Sequence, residues 1–219
     1  MLSWDRLGAA SGVIGVLLAL AGLAATGGGA PNNRPATNAA MDQVVTYMSR
    51  PATATSAIGY ALVLTGFLFL LLFVFRLRGI VKNADGEGGW LANAGAGGFV
   101  FYLLADSTRF VFSDARNMAT GHHLAPAEAV TFFDVSNALT PLAWMGIAMF
   151  MIPMSAAALR SRTLPTWLGW TGLVIGVGNL IWAWLPPGGT STPAEDFFIL
   201  WLVVTSVILV RRSLAPAAR

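Results

Sequence analysis

Six stretches of the chain are apolar over enough residues to cross a lipid bilayer as helices. They lie at 7–26, 56–75, 90–112, 129–159, 167–185 and 197–210. The last of them reaches a full span only if it begins near Pro193. About 20 residues of helix cross the roughly 30 Å hydrocarbon core, and backbone groups inside lipid must be hydrogen-bonded internally. The sequence therefore predicts an all-α, six-transmembrane-helix bundle that forms a single domain over 1–219.

Composition excludes an ordinary soluble fold. Charged residues make up 11% of the chain and apolar residues 56%, whereas about a quarter of the residues in a typical globular protein are charged. The chain has no cysteine, which removes disulfides, thiolate metal sites and iron–sulfur clusters. Its basic residues form no stripe of the kind that binds nucleic acid. The expected surroundings are a lipid bilayer, with no nucleic-acid partner.

The arginines and the lysine favour one orientation of these helices. With the N-terminus in the cytoplasm, nine of the 13 basic residues fall on the inner side. These nine are Arg6, Arg76, Arg78, Lys82, Arg160, Arg162, Arg211, Arg212 and Arg219. Short cytoplasmic loops are enriched in Lys and Arg, so we predict a multi-pass plasma-membrane protein with both termini in the cytoplasm. The first segment is too long for the core of a signal peptide and is interpreted as a retained helix.

The outer segment 27–55 is predicted to contain one short helix. Glycines and prolines interrupt both ends of this segment, and Asn38 is a suitable N-cap for a helix that runs to about Ser49. Apolar residues recur there at helical spacing, namely Met41, Val44, Val45 and Met48. We expect a short amphipathic helix between the first two membrane helices, lying on the outer surface or capping the bundle. On the inner side, the Gly- and Asn-containing stretch 79–89 predicts a loop.

Four polar residues fall within the third and fourth apolar segments. Asp106 and Arg109 are three residues apart and so share a helical face. Asp134 and Asn137 reach a similar depth on the fourth segment, which runs in the opposite direction. Each charge in lipid costs about 3 kcal/mol, so such residues usually have partners or a function. Two interpretations stay open: an outward-facing ligand-binding pocket between these two helices, or a dry polar knot in which Arg109 pairs with Asp106 or Asp134.

Other groups that could carry chemistry are few. His122 and His123 lie in the outer loop near Met118, and His, Met and carboxylates can ligate copper or zinc. Their spacing matches no strict metal signature, so a metal site is the less favoured interpretation. Glu195 and Asp196 begin the sixth segment, where their charge favours the helix dipole without any further function. The sequence has no nucleotide-binding loop, Ser-His-Asp set or zinc-protease motif, so no catalytic residue is predicted. Whether the protein binds a cofactor is left open by the sequence.

Small residues recur at four-residue spacing in the first and fifth segments. The pairs are Gly8 with Gly12 and Gly172 with Gly176. In lipid such spacing lets helix backbones approach closely. Packing within one chain is the interpretation favoured over a dimer interface.

The turn before the fifth segment carries a recognisable pattern. The run Leu164-Pro-x-Trp-Leu-Gly-Trp170 follows an Arg-rich turn, and a polar outer end lies between the third and fourth segments. In these features the chain resembles a group of uncharacterised multi-pass membrane proteins common in actinobacteria. The resemblance covers most of the chain and implies a bacterial plasma-membrane protein with this topology. It implies no catalytic residue, because the group has no established activity.

Three classes of function are consistent with the sequence. The first is binding or transport of a small ligand through the outward-facing pocket. The second is a non-catalytic accessory or assembly subunit, docked on a larger membrane complex or assembled as a homo-oligomer. The third is a membrane enzyme or a metal-binding protein. The inner halves of the apolar segments are almost free of polar residues, which argues against ion conduction.

Overall fold

Every secondary-structure element that the computed structural model describes is a helix. The described residues are 4–26, 35–49, 53–85, 89–113, 124–185 and 193–214. Their helices are α1 (Trp4–Ala25), α2 (Met41–Met48), α3 (Ala54–Asp85), α4 (Trp90–Ser113), α5 (Pro126–Ser161), α6 (Thr166–Trp184) and α7 (Pro193–Leu214). The all-α prediction is confirmed for these ranges.

Four of the helices, α1, α3, α5 and α7, are long and apolar enough to cross a membrane. The last of them begins at Pro193 and has 22 residues, the length that the sixth apolar segment needed. Large apolar side chains cover the outside of these helices; Leu17, Leu68 and Leu200 are 61%, 63% and 55% exposed. An apolar surface of this extent is unfavourable in water and favourable in lipid. The molecule is therefore a membrane-embedded helical protein.

Helix α3 extends well beyond the apolar segment that predicted it. It continues past Phe75 to Asp85, so most of the predicted loop 79–89 is helical. Leu77 and Val81 in this extension are completely buried. Burial of this apolar stripe stabilises the added turns, while the basic residues between them lie toward the surface.

Helix α2 confirms the short helix predicted between the first two membrane helices but corrects its start. The N-cap is Ala40 rather than Asn38, and no side chain caps this end. Val44 and Met48 are buried, whereas Met41 is 57% exposed. The buried face packs on the first turns of α5, so the helix caps one end of the bundle.

Neighbouring helices pack antiparallel through small residues. A Cβ placed on Gly22 of α1 would lie only 2.5 Å from the carbonyl oxygen of Gly59 in α3. A Cβ on Gly12 would lie 2.8 Å from Cβ of Ser206 in α7, and one on Gly176 would lie 2.8 Å from a side chain of α5. The prediction that the spaced glycines pack within one chain is confirmed at these positions.

An aromatic cluster ties α4, α5 and α7 together at the centre of the bundle. The ring of Phe150 in α5 lies 5.2 Å from Phe99 and 6.0 Å from both Phe198 and Trp201, measured between ring centroids. Tyr102 of α4 meets Phe198 edge-on at 5.6 Å. Such edge-to-face contacts add to the burial of large apolar surfaces. The cluster fixes the relative positions of the helices that carry the candidate site.

Most charged residues lie near one of the two ends of the bundle; Arg109 lies with the acidic residues, and Asp5 and Asp85 belong to the terminal turns of α1 and α3 at the other end. The basic end carries Arg6, Arg76, Arg78, Lys82, Arg160, Arg162, Arg211 and Arg212. The acidic side chains that the structure describes lie toward the other end, the acidic end: Asp42, Asp106, Glu128, Asp134, Glu195 and Asp196. At the basic end, Arg78 Nε donates to Asn93 Oδ1 at 2.7 Å, and Arg212 donates to the carbonyl oxygen of Thr163. These contacts join the end of α3 to the start of α4, and the end of α7 to the turn between α5 and α6.

Candidate functional site

The polar site is organised around an ion pair on α4. Arg109 Nε donates to Asp106 Oδ1 at 2.7 Å, and a terminal nitrogen of Arg109 contacts the same oxygen. The residues are one helical turn apart, which brings their side chains together on one face. Only 18% of the Arg109 side chain and 10% of the Asp106 side chain are exposed. Of the two pairings that the sequence left open, the structure contains Arg109 with Asp106.

A second carboxylate reaches the same place from α7. Trp144 of α5 donates its indole N–H to Glu195 Oε2 at 3.3 Å. Glu195 also interacts electrostatically with Arg109. Arg109 is therefore flanked by a carboxylate from its own helix and by one from another helix. Through these contacts the site, which we call the polar cluster (Tyr102, Asp106, Arg109, Trp144 and Glu195), connects α4, α5 and α7.

Tyr102 completes the polar cluster on the α4 side. It lies four residues before Asp106, one turn deeper in the bundle, and only 7% of it is exposed. Its ring packs against Phe198, so the phenol is held at the boundary between the aromatic cluster and the charged groups. The tyrosine adds a neutral hydroxyl to a site otherwise formed by charges.

A cavity of about 80 Å³ lies beside the polar cluster, between α1, α3, α4 and α7. Its polar lining comes from Tyr102, Asp106, Arg109 and Glu195. The rest of the lining is apolar: Val16, Ala19, Leu20, Leu23, Val63, Phe67, Leu70, Phe110, Phe198, Ile199 and Leu202. A water molecule needs roughly 10–15 Å³ of cavity volume, so the cavity has room for several waters or for a short alkyl chain. It has one charged end and apolar walls.

The position of this cavity differs from the predicted one. Asp134 is exposed and Asn137 half-buried on α5, and neither lines the cavity. A Cβ on Gly146 of α5 would lie 2.6 Å from the Cα of Tyr102 in α4. The two backbones are thus in contact at this point, and the predicted pocket between α4 and α5, whose connecting segment lies outside the described residues, stays a prediction. Asp106 and Arg109 instead face the opening left by α1, α3 and α7.

Three members of the polar cluster were not predicted as site residues. Glu195 was explained by its favourable charge at the start of a helix. Its contact with Trp144 could not be predicted, because the two residues are 51 positions apart in the sequence. Tyr102 and Trp144 carry no signal that separates them from aromatic residues elsewhere in apolar helices. Trp144 is only 1% exposed, so it belongs to the core rather than to an interfacial belt. The only sequence feature that pointed to any of these three residues was the polar start of the sixth segment, which contains Glu195.

The histidine and methionine candidates cannot be placed. His122, His123 and Met118 lie in 114–123, outside the residues that the structure describes. Within the described ranges, no group of three His, Asp or Glu side chains is arranged to hold a metal ion. The interpretation of that loop as a metal site stays a prediction.

No protein-family model, curated protein or solved structure matches the chain. The assignment of a function therefore depends on the geometry of the polar cluster and the cavity. That geometry combines a desolvated guanidinium, two carboxylates and a phenol with an apolar chamber. Such a combination suits recognition of a molecule with one polar and one apolar part.

Proposed function

We propose that the chain is a six-span membrane protein that binds a small amphipathic ligand in the cavity between α1, α3, α4 and α7. The observation that carries this proposal is a cavity with apolar walls and a charged end formed by Asp106, Arg109 and Glu195. Pockets that bind small molecules are mostly apolar, with a few polar groups that fix orientation. The apolar part of the ligand would contact Phe67 and Leu202, and its polar group would face the carboxylates.

The charge of the polar cluster favours a ligand that donates hydrogen bonds. Two carboxylates and one guanidinium sum to one negative charge when all three are ionised. Both contacts from Arg109 go to Oδ1 of Asp106. The ion pair therefore leaves Oδ2 of Asp106 as an acceptor that a ligand can use. A hydroxyl or ammonium group on the ligand would satisfy this oxygen.

Binding is favoured over ion conduction. The part of the cavity furthest from the polar cluster is lined by apolar side chains, including Val63, Phe67 and Leu70. An ion crossing this region would lose its hydration without gaining protein ligands. The proposal therefore assigns the charged groups to recognition at one end of the bundle.

The six-span topology is supported by helix length and by the direction of the chain. Helix α4 has 24 residues and α6 has 19, which at 1.5 Å per residue correspond to about 36 Å and 28 Å. Each connects two membrane-length helices that start at the same end of the bundle. We propose that the basic end faces the cytoplasm, as the enrichment of Lys and Arg on inner loops predicts. The polar cluster then lies toward the outside of the plasma membrane.

A test of the binding proposal uses a cavity-filling variant and a matched control. Ile199 lines the cavity, so Ile199→Trp should fill it. Val207 lies two turns along the same helix and is 37% exposed, so Val207→Trp changes only an outer surface. Wild type and Val207→Trp should both be stabilised by hexylamine and by hexanol in thermal unfolding in detergent, and less by hexanoate. Ile199→Trp should lose the effect, whereas stabilisation by hexanoate alone, or equal stabilisation of both variants, would contradict the proposal.

An accessory role is the second candidate, and one observation favours it. Helix α6 packs on α5 and α7 and leaves a continuous apolar face exposed. Its members recur at helical spacing: Trp167, Trp170, Val174, Val177, Ile181 and Trp184. An accessory subunit would use such a face to dock on a larger membrane complex or on a second copy. Native mass spectrometry that detects only monomers with bound small molecules would favour the ligand-binding proposal over this one.

A further inference from the structure

The basic end carries a charged surface that the cavity does not use. At the turn between α5 and α6, Arg162 is exposed, and at the end of α7 both Arg211 and Arg212 are exposed. Arg212 donates to the carbonyl oxygen of Thr163, which brings the two segments together. Three positive charges from two separate parts of the chain thus lie at one corner of the bundle.

The turn that presents Arg162 is held in a defined conformation. Arg162 has a left-handed backbone with φ of 53°, and its N–H is bonded to the carbonyl oxygen of Leu159 at 3.4 Å. The hydroxyls of Ser161 and Thr163 are 3.0 Å apart and bonded to each other. Glycine adopts the left-handed conformation most easily and is the usual residue after a helix end. An arginine at this position therefore adopts a backbone conformation that is less favourable for it than for glycine.

An apolar surface continues from the same corner into the membrane region. Trp167, Trp170 and Val174 follow the turn on α6 at helical spacing and are 56%, 60% and 70% exposed. A headgroup held at the arginines would place its acyl chains along this face. The eight basic residues of the basic end outnumber the acidic residues Asp5 and Asp85 in the terminal turns of α1 and α3, so the net potential at this end attracts anions.

We infer that this corner binds an anionic phospholipid. The phosphate of the lipid contacts Arg162, Arg211 and Arg212, and an acyl chain lies on the face that begins at Trp167. Arginine suits this role because its planar guanidinium donates paired hydrogen bonds to phosphate oxygens. Basic surfaces between helix ends on the cytoplasmic side of membranes recognise lipid headgroups through the same chemistry. Leu202, the last residue of α7 that lines the cavity, precedes Arg211 by nine residues, which is about 14 Å of helix. The phospholipid site therefore does not share these residues with the cavity and does not depend on the function proposed for it.

The experiment compares two lipids on the full-length protein in detergent. Native mass spectrometry would count dioleoyl phosphatidylglycerol and dioleoyl phosphatidylcholine retained by the wild type, which share acyl chains and differ in headgroup charge. We expect at least a tenfold preference for phosphatidylglycerol. The double variant Arg162→Gln/Arg211→Gln should lower its affinity about tenfold or more, since each basic residue near the surface strengthens binding roughly fivefold.

The matched control removes the same charge from another corner of the basic end. Arg78→Gln/Lys82→Gln should leave the lipid preference within about threefold of the wild type. Equal retention of the two lipids by the wild type would overturn the inference, as would an equal loss in both double variants. Complete displacement of the lipid by millimolar inorganic phosphate would also overturn it, because the site would then recognise the free anion. Should the double variant fail to fold, Arg162→Gln alone replaces it, with about a fivefold loss expected and an unchanged affinity contradicting the inference.

Discussion

Arg109 holds together groups from two helices, and its removal should be the most damaging change at the site. The guanidinium bonds Asp106 on α4 and interacts with Glu195 on α7. Without it, two carboxylates would remain close together in a largely apolar setting. Breaking a fully buried ion pair by removing one partner costs about 3–5 kcal/mol. The side chain of Arg109 is 18% exposed, which reduces this cost through solvent screening.

Arg109→Gln should therefore lower the free energy of unfolding by about 2–3 kcal/mol, measured by denaturation in mixed micelles. The double variant Asp106→Asn/Arg109→Gln should recover part of the loss, because it also removes one of the two negative charges. Asp134→Asn is the control, since Asp134 is exposed, and it should change stability by no more than about 0.5 kcal/mol. A fully stable Arg109→Gln protein would show that the polar cluster does not hold the helices together.

Trp144 supports the cluster from α5 through one hydrogen bond. Trp144→Phe keeps an aromatic ring but removes the indole N–H that Glu195 accepts. A hydrogen bond to a charged group contributes about 1.5–3 kcal/mol, so a loss near 2 kcal/mol is expected in the same assay. Trp170 is 60% exposed, and Trp170→Phe should have little effect. Equal losses in the two variants would indicate ring packing rather than the hydrogen bond.

At the residue scale, the contacts that could be predicted from the sequence were those between residues close together on one helix. Asp106 and Arg109 are three residues apart on one helix, so their contact followed from helical geometry alone. Glu195 joins them from another helix, and which face of α7 it occupies is set by tertiary packing. Asp134 and Asn137 are polar residues at a similar depth, but they do not line this cavity. Nothing local shows that close backbone packing turns them away from the cavity.

Contacts between whole helices are governed by backbone distance. Gly22 and Gly59 let α1 and α3 touch, and a Cβ on Gly22 would lie 2.5 Å from a carbonyl oxygen that cannot move away. We expect Gly22→Ala to destabilise the protein by about 1–3 kcal/mol through overpacking. Gly97→Ala on α4 is the matched control, because a Cβ there meets nothing within 4 Å. It should be neutral or stabilising by up to about 1 kcal/mol, and a similar loss in both variants would contradict the packing argument.

Hydropathy located the helices but not their ends. An apolar run marks where lipid is favourable, and so the sequence predicts each of the membrane-length helices. It misses the part of α3 beyond Phe75, where buried Leu77 and Val81 alternate with basic residues. That pattern is amphipathic, and it becomes recognisable only when the neighbouring helices that bury one side are known. The start of α2 was also mispredicted: Asn38 is a common N-cap residue type, but α2 begins at Met41.

At the scale of the whole molecule, the distribution of charge between the two ends predicts how the bundle is oriented in the membrane. All described basic residues except Arg109 lie at one end, and the described acidic side chains lie toward the other. The polar cluster and the contact between α2 and α5 lie at the acidic end. The proposed phospholipid site lies at the basic end. The two proposed sites would then face opposite sides of the membrane. This arrangement requires that α4 and α6 cross the bilayer as α1, α3, α5 and α7 do.

Accessibility of single cysteines tests this requirement most directly, since the chain has no cysteine of its own. Asn83 precedes α4 and Ala127 follows it, while Arg160 precedes α6 and Pro193 follows it; all four are exposed. In intact cells, a membrane-impermeant maleimide should label cysteines at 127 and 193 and should reach those at 83 and 160 only after permeabilisation. Labelling of positions 83 and 127 from the same side, or of 160 and 193 from the same side, would contradict the six-span bundle.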